Sequence, residues 1–206
     1  WGITDTLRFR GGRQLATRAP NIAELFQSNT QSWSVQFGGE PCALNSSLPY
    51  GANAGNPNAA AVQALCAKII GPVAATYYSP TQQAQINPVV WLPFVDATGN
   101  PKVNPEEAKT LTAGFVWRPN TTHEKLNGLN FSVDYYDIKI TDMISVEGAL
   151  TVYEKCLSPA SNPTFDPLNP SCVKIHRHPV NGGATTTTVS YVNAAFAEVS
   201  GVDFTA

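Results

Sequence analysis

The stretch from Asn104 to Ile140 constrains this chain most, because it reads as two alternating runs joined by a short polar connection. In the first run Leu111, Ala113, Phe115 and Trp117 fall on one side of a period-two strand, and Thr110, Thr112, Gly114, Val116 and Arg118 on the other. In the second run Phe131, Val133 and Tyr135 oppose Asn130, Ser132, Asp134 and Tyr136. That period predicts half-buried strands, and the connection between Asn120 and Gly128 predicts a β-hairpin. A sheet covered on both sides would be apolar on both faces, so that architecture does not fit. Two environments suit the apolar side: a soluble core, or lipid around a polar lumen.

Composition bears on that choice. Charged residues make up 14% of the 206 positions, against roughly 25% in soluble domains. The formal charge of −2 and the scattered Lys and Arg argue against a nucleic-acid partner. No apolar run reaches the ~18 residues of a spanning helix, since the segment from Ala59 to Ala75 is broken by Lys68, Gly71 and Pro72. A helical membrane protein is therefore not expected. The alternation is already running at Ile3 and the chain starts at Trp1 without an initiator Met or signal peptide, so a piece of a longer protein is expected.

Cys42, Cys66, Cys156 and Cys172 show none of the C-x-x-C spacing of metal sites. Each sequential pair brackets a Pro/Asn/Ser-rich segment. Of the three possible connectivities this suits Cys42 with Cys66 and Cys156 with Cys172, which would place both in an oxidising compartment.

Ile3 to Arg10 alternates and predicts a first strand, interrupted by Gly11-Gly12, with Arg13 to Ala16 resuming as a second strand or past a bulge. After Pro20, Asn21 is placed to cap a short turn through Leu25. A large loop follows, about 27–103, dense in Asn, Gly, Pro, Ser and Gln. Within it Asn56-Pro57 reads as a helix start, Val62, Leu65, Cys66 and Ile69 as a stripe, and Gly71-Pro72 as a stop. A second loop, about 145–192, holds Ala149 to Leu157, which suits a short helix or a strand with the helix preferred, and a small hairpin around Asn181-Gly182, flanked by Val173 to His178 and Thr186 to Val192. A separate last strand is expected over Phe196 to Ala206. Long connections at one end and short ones at the other are the pattern of outer-membrane barrels.

Four segments carry a specific resemblance: ATRAPNIAELF (Ala16 to Phe26), NPEEAKTLTAGFVWRP (Asn104 to Pro119), FSVDYYDIKITDMI (Phe131 to Ile144) and SGVDFTA (Ser200 to Ala206). In order and spacing they resemble the C-terminal barrel region of TonB-dependent outer-membrane receptors. Arg18-Ala19-Pro20 matches the segment that tops a strand before a long surface loop, and Asn104-Pro105-Glu106-Glu107 is a shortened form of the pattern that marks the chain's return. The resemblance implies an all-β fold of antiparallel strands from a transmembrane β-barrel wall, with long extracellular loops containing short helices. Full-length members resemble plugged barrels of roughly 22 strands, of which this sequence would supply about five or six. It also implies the bacterial outer membrane as location, and as partners the membrane lipid, a plug domain, the TonB complex and a small-molecule or oligosaccharide ligand.

No catalytic set stands out: G-x-S-x-G, H-E-x-x-H and a phosphate-binding glycine loop are all missing, so no enzyme and no cofactor is expected. His176-Arg177-His178 lacks a carboxylate or third His nearby in sequence, with His123 in the opposite turn, and no metal is expected. Arg8, Arg10, Thr112, Ser132 and Asp134 are candidates to face a lumen. Trp33, Tyr77, Tyr78 and Trp91 are loop aromatics able to stack on a ligand, or simply to pack. The expected function is uptake of a scarce nutrient (siderophore, cobalamin or oligosaccharide) energised by TonB. The other reading is a secreted or periplasmic β-rich carbohydrate-binding module.

Overall fold

The computed structural model describes residues 1–120 and 128–206. The hairpin turn expected between Asn120 and Gly128, with His123, falls on residues 121–127 and so lies outside the described residues. The chain divides into two compact units. One comprises Trp1–Asn21, Lys102–Ser145 and Val192–Ala206, the other Ile22–Pro101 and Val146–Tyr191. The elements begin with β1 (Leu7–Arg18), α1 (Ile22–Phe26), β2 (Thr30–Trp33), β3 (Gln36–Phe37), α2 (Ala59–Ile70), α3 (Ala74–Tyr77) and α4 (Pro80–Gln85). They continue with β4 (Val90–Trp91), β5 (Phe94–Thr98), β6 (Glu106–Trp117), β7 (Phe131–Val146), α5 (Ala149–Leu157), β8 (Ile175–Arg177) and β9 (Ala184–Thr205).

In the strand unit the order is β1-β6-β7-β9. The β1–β6 ladder runs without a shift from Leu7↔Trp117 to Arg18↔Glu106, and β6–β7 from Trp117↔Phe131 to Glu107↔Thr141. Gly11-Gly12 therefore does not interrupt β1, contrary to expectation. Backbone pairing to β6 needs no side chain, and the Phe9 ring covers Gly11 so closely that a Cβ there would lie 3.3 Å from it. The first strand also starts later than Ile3, because residues 1–6 fold back. The Thr4 hydroxyl accepts the N–H groups of Thr6 and Leu7, and Phe9 N–H donates to the Trp1 carbonyl.

The separate last strand is likewise corrected, since β9 is one strand of 22 residues. Asn193 holds it at the expected break: its amide donates to the carbonyls of Asn104 (2.9 Å) and Asp142 (2.7 Å) and accepts from Asn104 N–H (2.7 Å).

The second unit owns nearly all of the buried apolar core: Val62, Leu65, Cys66 and Ile70 of α2, Ala149, Val152, Tyr153, Cys156 and Leu157 of α5, and Tyr77, Val95, Ile175 and Val189. Residues 27–103 and 145–192, which read as two loops, thus share one core. Disulfides join Cys42 to Cys66 and Cys156 to Cys172. The helix starts at Ala59 and not after Asn56. Asn56 instead shapes the preceding turn, donating to the Gly51 carbonyl and accepting from Asn58 N–H. By length and composition Ala59–Tyr77 does pass as a spanning helix, contrary to the sequence reading. Yet the chain breaks stride at Gly71 (φ 76°), and Cys66 and the buried stripe tie α2 into the core.

Within this unit β2 pairs with β5 antiparallel, β5 with β9 in parallel and β8 with β9 antiparallel. The β8–β9 hairpin turns at Gly182, whose φ of 73° and approach to Ile70 and Tyr77 leave no room for a side chain.

Candidate functional site

Registers sort the strand-unit side chains into two faces. One row crosses β1, β6 and β7 as Arg10↔Gly114↔Asp134, flanked by Arg8↔Val116↔Ser132 and Gly12↔Thr112↔Tyr136. All five residues expected to face a lumen lie here: Arg8, Arg10, Thr112, Ser132 and Asp134. The Arg10 guanidinium spans β6 to grip Asp134 bidentately, with Nε 2.6 Å from Oδ1 and Nη2 on Oδ2. Gly114 makes this possible, because a Cβ there would overlap the Asp134 carboxylate. Tyr136 lies over Gly201 in the same way, and Asp203 joins them around a hollow of about 410 Å³. A second bidentate pair, Arg18 to Glu106 at 2.7 Å, closes the far end of β1 and β6.

The other row pairs Phe9↔Phe115↔Val133 and Leu7↔Trp117↔Phe131. Phe9 and Phe115 rings meet at 5.3 Å, and Trp117 stacks on Phe131 at 5.7 Å. On β1 Leu7 and Phe9 are half-buried and Arg8 and Arg10 exposed, whereas on β7 exposure runs opposite to that of a soluble sheet. Along β7 the apolar Phe131, Val133 and Tyr135 are exposed, while Ser132, Asp134 and Tyr136 are half-buried.

The loop aromatics separate sharply. Tyr77 is buried and its phenol donates to the Glu40 carboxylate. Tyr78 packs edge-on against Tyr77 at 5.0 Å and donates to the Cys42 carbonyl. Trp91 lies edge-on to Tyr153 at 5.1 Å. These three are placed by packing, although Tyr77 and Trp91 wall a hollow of about 210 Å³ with Glu40, Gln82 and Asn87. Trp33 alone of the four stands in solvent, 67% exposed.

Beneath them a charged pair is sealed in. Arg177 Nη1 is 3.1 Å from Glu40 Oε1, both side chains being about 5% exposed or less, and the guanidinium sits 5.8 and 5.7 Å from the Tyr77 and Tyr153 ring centres. Burial would lower the Arg177 pKa, but the Glu40 carboxylate together with the Tyr153 and Tyr77 phenols outweighs it and the guanidinium stays above its ordinary value. Burial, seconded by Glu40, pushes the Tyr77 and Tyr78 phenols upward, and burial with Glu154 nearby takes Tyr50 to about 12. Glu147 receives Lys155 (2.6 Å) and Lys174 (2.7 Å). Burial pulls its pKa up, and the two ammonium groups carry it below the ordinary carboxylate value.

His176 and His178 do not share a site. A bulge separates His176 from Arg177, His176 meets the Thr188 hydroxyl, and His178 Nδ1 accepts from Val180 and Asn181 N–H. Among the described residues no group of three or more His, Cys, Asp or Glu is arranged to hold a metal.

One feature escaped the sequence reading. The pairs Trp33↔Phe94 and Phe37↔Val90 keep one register, bridged by Ser34 N–H to the Pro93 carbonyl and Gly38 N–H to the Val89 carbonyl. Val35 and Leu92 therefore fall between them on the same face. The opposite face carries the buried Pro93 and Val95, whereas Trp33, Val35, Phe37, Leu92 and Phe94 are all exposed. The period-two signal was present at WSVQF and VWLPF, submerged in a polar surrounding.

Thus one unit offers an inverted, polar-lined strand wall and the other a stapled globule with an exposed apolar ribbon. The sequence model of the family described as "TonB dependent receptor-like, beta-barrel" matches residues 1–206. The chain belongs to this family. No curated relative matches it. TonB-dependent receptors are outer-membrane transporters and generally not enzymes, and the antiparallel order of β1, β6 and β7 is consistent with their barrel strands. Among the described residues the sheet is open.

Proposed function

We propose that this chain supplies part of the barrel wall and the surface loops of a bacterial outer-membrane receptor that takes up a scarce nutrient, a ferric siderophore, cobalamin or an oligosaccharide. The receptor would bind its ligand through loops outside and draw energy from the TonB complex through a plug domain. The carrying observation is the inverted exposure of the strands. On β6 and β7 Leu111, Phe115, Trp117, Phe131, Val133 and Tyr135 stay exposed while Gly114, Val116, Ser132, Asp134 and Tyr136 are buried or half-buried. A water-soluble sheet would bury the first row, whereas a lipid-facing wall around a polar lumen needs this arrangement. Trp117 then sits at a membrane interface, and Arg8, Arg10, Thr112, Ser132 and Asp134 face the lumen. In the loop unit the exposed Trp33 and Phe94 pair is the best-placed ligand platform.

The test is fractionation of the full-length protein followed by uptake of labelled ferric siderophore, cobalamin and oligosaccharide, with and without a working TonB complex. Recovery in the outer membrane with TonB-dependent uptake of one of them is expected. Recovery in the soluble fraction would overturn the proposal in favour of the secreted module.

A further inference from the structure

Helix α4 and the turn after it form one wall of the hollow of about 210 Å³ in the loop unit. That wall is fixed from behind. The Ser79 hydroxyl caps α4 by accepting the Gln82 N–H, and the Gln83 side-chain amide donates to the Tyr77 carbonyl (2.9 Å) while accepting from Leu44 N–H (2.9 Å). Asn45 holds the helix end through the Ile86 carbonyl (2.9 Å). Asn87 shapes the turn by accepting the N–H groups of Val89 and Val90 at 2.8 and 3.0 Å. The rest of the wall includes Glu40, Tyr77 and Trp91, the last held edge-on by Tyr153.

Hydrogen-bonding capacity is left over on this lining. Gln83 uses both ends of its amide, but the half-buried side chain of its neighbour Gln82 has no partner among the described residues. Nor has the Asn87 amino group. Glu40 is 4% exposed, and its carboxylate accepts from Cys42 N–H (3.2 Å), Arg177 Nη1 (3.1 Å) and the Tyr77 phenol. A carboxylate offers about four acceptor sites, so one stays open. Two amides and one carboxylate therefore stand ready beside an indole and the aliphatic Ile86. Arg177 already balances the Glu40 charge, and no other charged side chain lines the hollow among the described residues. A cation entering would bring a second positive charge toward the guanidinium, and an anion would face the carboxylate. The site suits a neutral molecule with several hydroxyls and an apolar face.

We infer that this hollow binds one ring of a neutral saccharide. Ring hydroxyls donate to Glu40 and exchange hydrogen bonds with Gln82 and Asn87, and the apolar face of the ring lies against Trp91. Size points the same way. Sites for drug-sized molecules run to about 300–1,000 Å³, so a hollow of about 210 Å³ admits a single sugar ring and not a corrin or a ferric chelate. The inference rests on the receptor reading above and deepens it by choosing the oligosaccharide among the three nutrients.

The test is isothermal titration of the full-length receptor, in a detergent without a sugar headgroup, with glucose, galactose, mannose, maltose and cellobiose. Glucuronate and glucosamine serve as charged counterparts. At least one neutral sugar is expected to bind, and neither charged one. Gln82→Ala should weaken that binding about fivefold, the loss of one neutral hydrogen bond. Ala184→Leu, which adds bulk to the lining, should abolish it. Gln85→Ala, the same kind of change at an exposed position of α4, should leave it intact. Hydrogen exchange of α2 and α5 confirms that the loop unit of each variant is folded. No binding of any neutral sugar, equal binding of glucuronate or glucosamine, or undiminished binding by both Gln82→Ala and Ala184→Leu would each overturn the site. Uptake separates the two failures. TonB-dependent uptake of ferric siderophore or cobalamin by a receptor that binds no sugar removes the sugar site alone. Sugar binding by a protein recovered in the soluble fraction keeps the site and removes the receptor reading beneath it.

Discussion

The strand unit and the loop unit solve the same problem, holding polar backbone and charged side chains in place, in opposite ways. In the strand unit the ion pairs are open. Arg10 and Asp134 meet across Gly114 with the Arg10 side chain exposed, and the large apolar side chains turn away from any core. In the loop unit the apolar side chains turn inward around α2 and α5, two disulfides fix the connections, and Arg177 and Glu40 are sealed beneath aromatic rings. The difference teaches where each unit is vulnerable. The strand unit depends on which solvent each face meets, and the loop unit on keeping its buried charges together.

The sharpest way to break the contrast is at the sealed pair. Arg177→Ala leaves the Glu40 carboxylate buried without its cation, a change that costs about 3–5 kcal/mol when such a pair is broken. Hydrogen exchange on the full-length receptor should show amides of α2 and α5 opening faster by that amount, while β6 and β7 are unaffected. Equal loosening of both units would show that they do not stand on separate interactions. Replacing both partners, Arg177→Met with Glu40→Gln, should restore part of the loss, since the penalty lies mainly in the orphaned charge.

A second experiment addresses the faces of the strand unit with neighbouring residues. Ala113 lies midway between Trp117 and Lys109 on the apolar row and Thr112 on the polar row. Ala113→Arg removes no packing but puts a charge at mid-depth in lipid, for which about 2–4 kcal/mol is expected. Thr112→Arg meets water and should change stability far less. Urea unfolding of the receptor refolded into phospholipid vesicles measures both. Similar losses at the two positions would erase the assignment of inside and outside.

How much of this was readable in the sequence follows the same division. The two faces of β6 and β7 were legible because alternation at period two is local, and so were α5 and the sequential pairing of the cysteines. The continuity of β9 was not, since it rests on Asn193 reaching Asn104 and Asp142, residues far off in the chain. Nor was the union of Glu40 with Arg177, or the packing that draws Tyr77 and Trp91 inward, because nothing local distinguishes a loop aromatic that stacks on a ligand from one that covers a buried charge. The Trp33 ribbon had a local signal, but short strands of two to four residues amid Asn, Gly and Pro do not rise above their surroundings.

The mildest expected effect concerns Glu147, where burial and two ammonium groups act in opposite directions. Burial favours its neutral form, while Lys155 and Lys174 favour its carboxylate and prevail, so the folded pKa lies below the ordinary value. A group held below its unfolded pKa, about 4.3 for Glu, stabilises the fold above that pH and loses the contribution as pH falls through the lowered folded value. The loop unit should therefore become more open to protease between about pH 4.3 and more acidic conditions. In Glu147→Gln that part of the pH dependence should vanish, leaving the loop unit weaker at neutral pH, with Lys155 and Lys174 sharing no carboxylate. The strand unit gives the internal reference in the same digest. If the loop units of the wild type and of the Glu147→Gln variant lose protection in parallel as the pH drops, the stabilisation comes from packing around α5 and not from the two lysines.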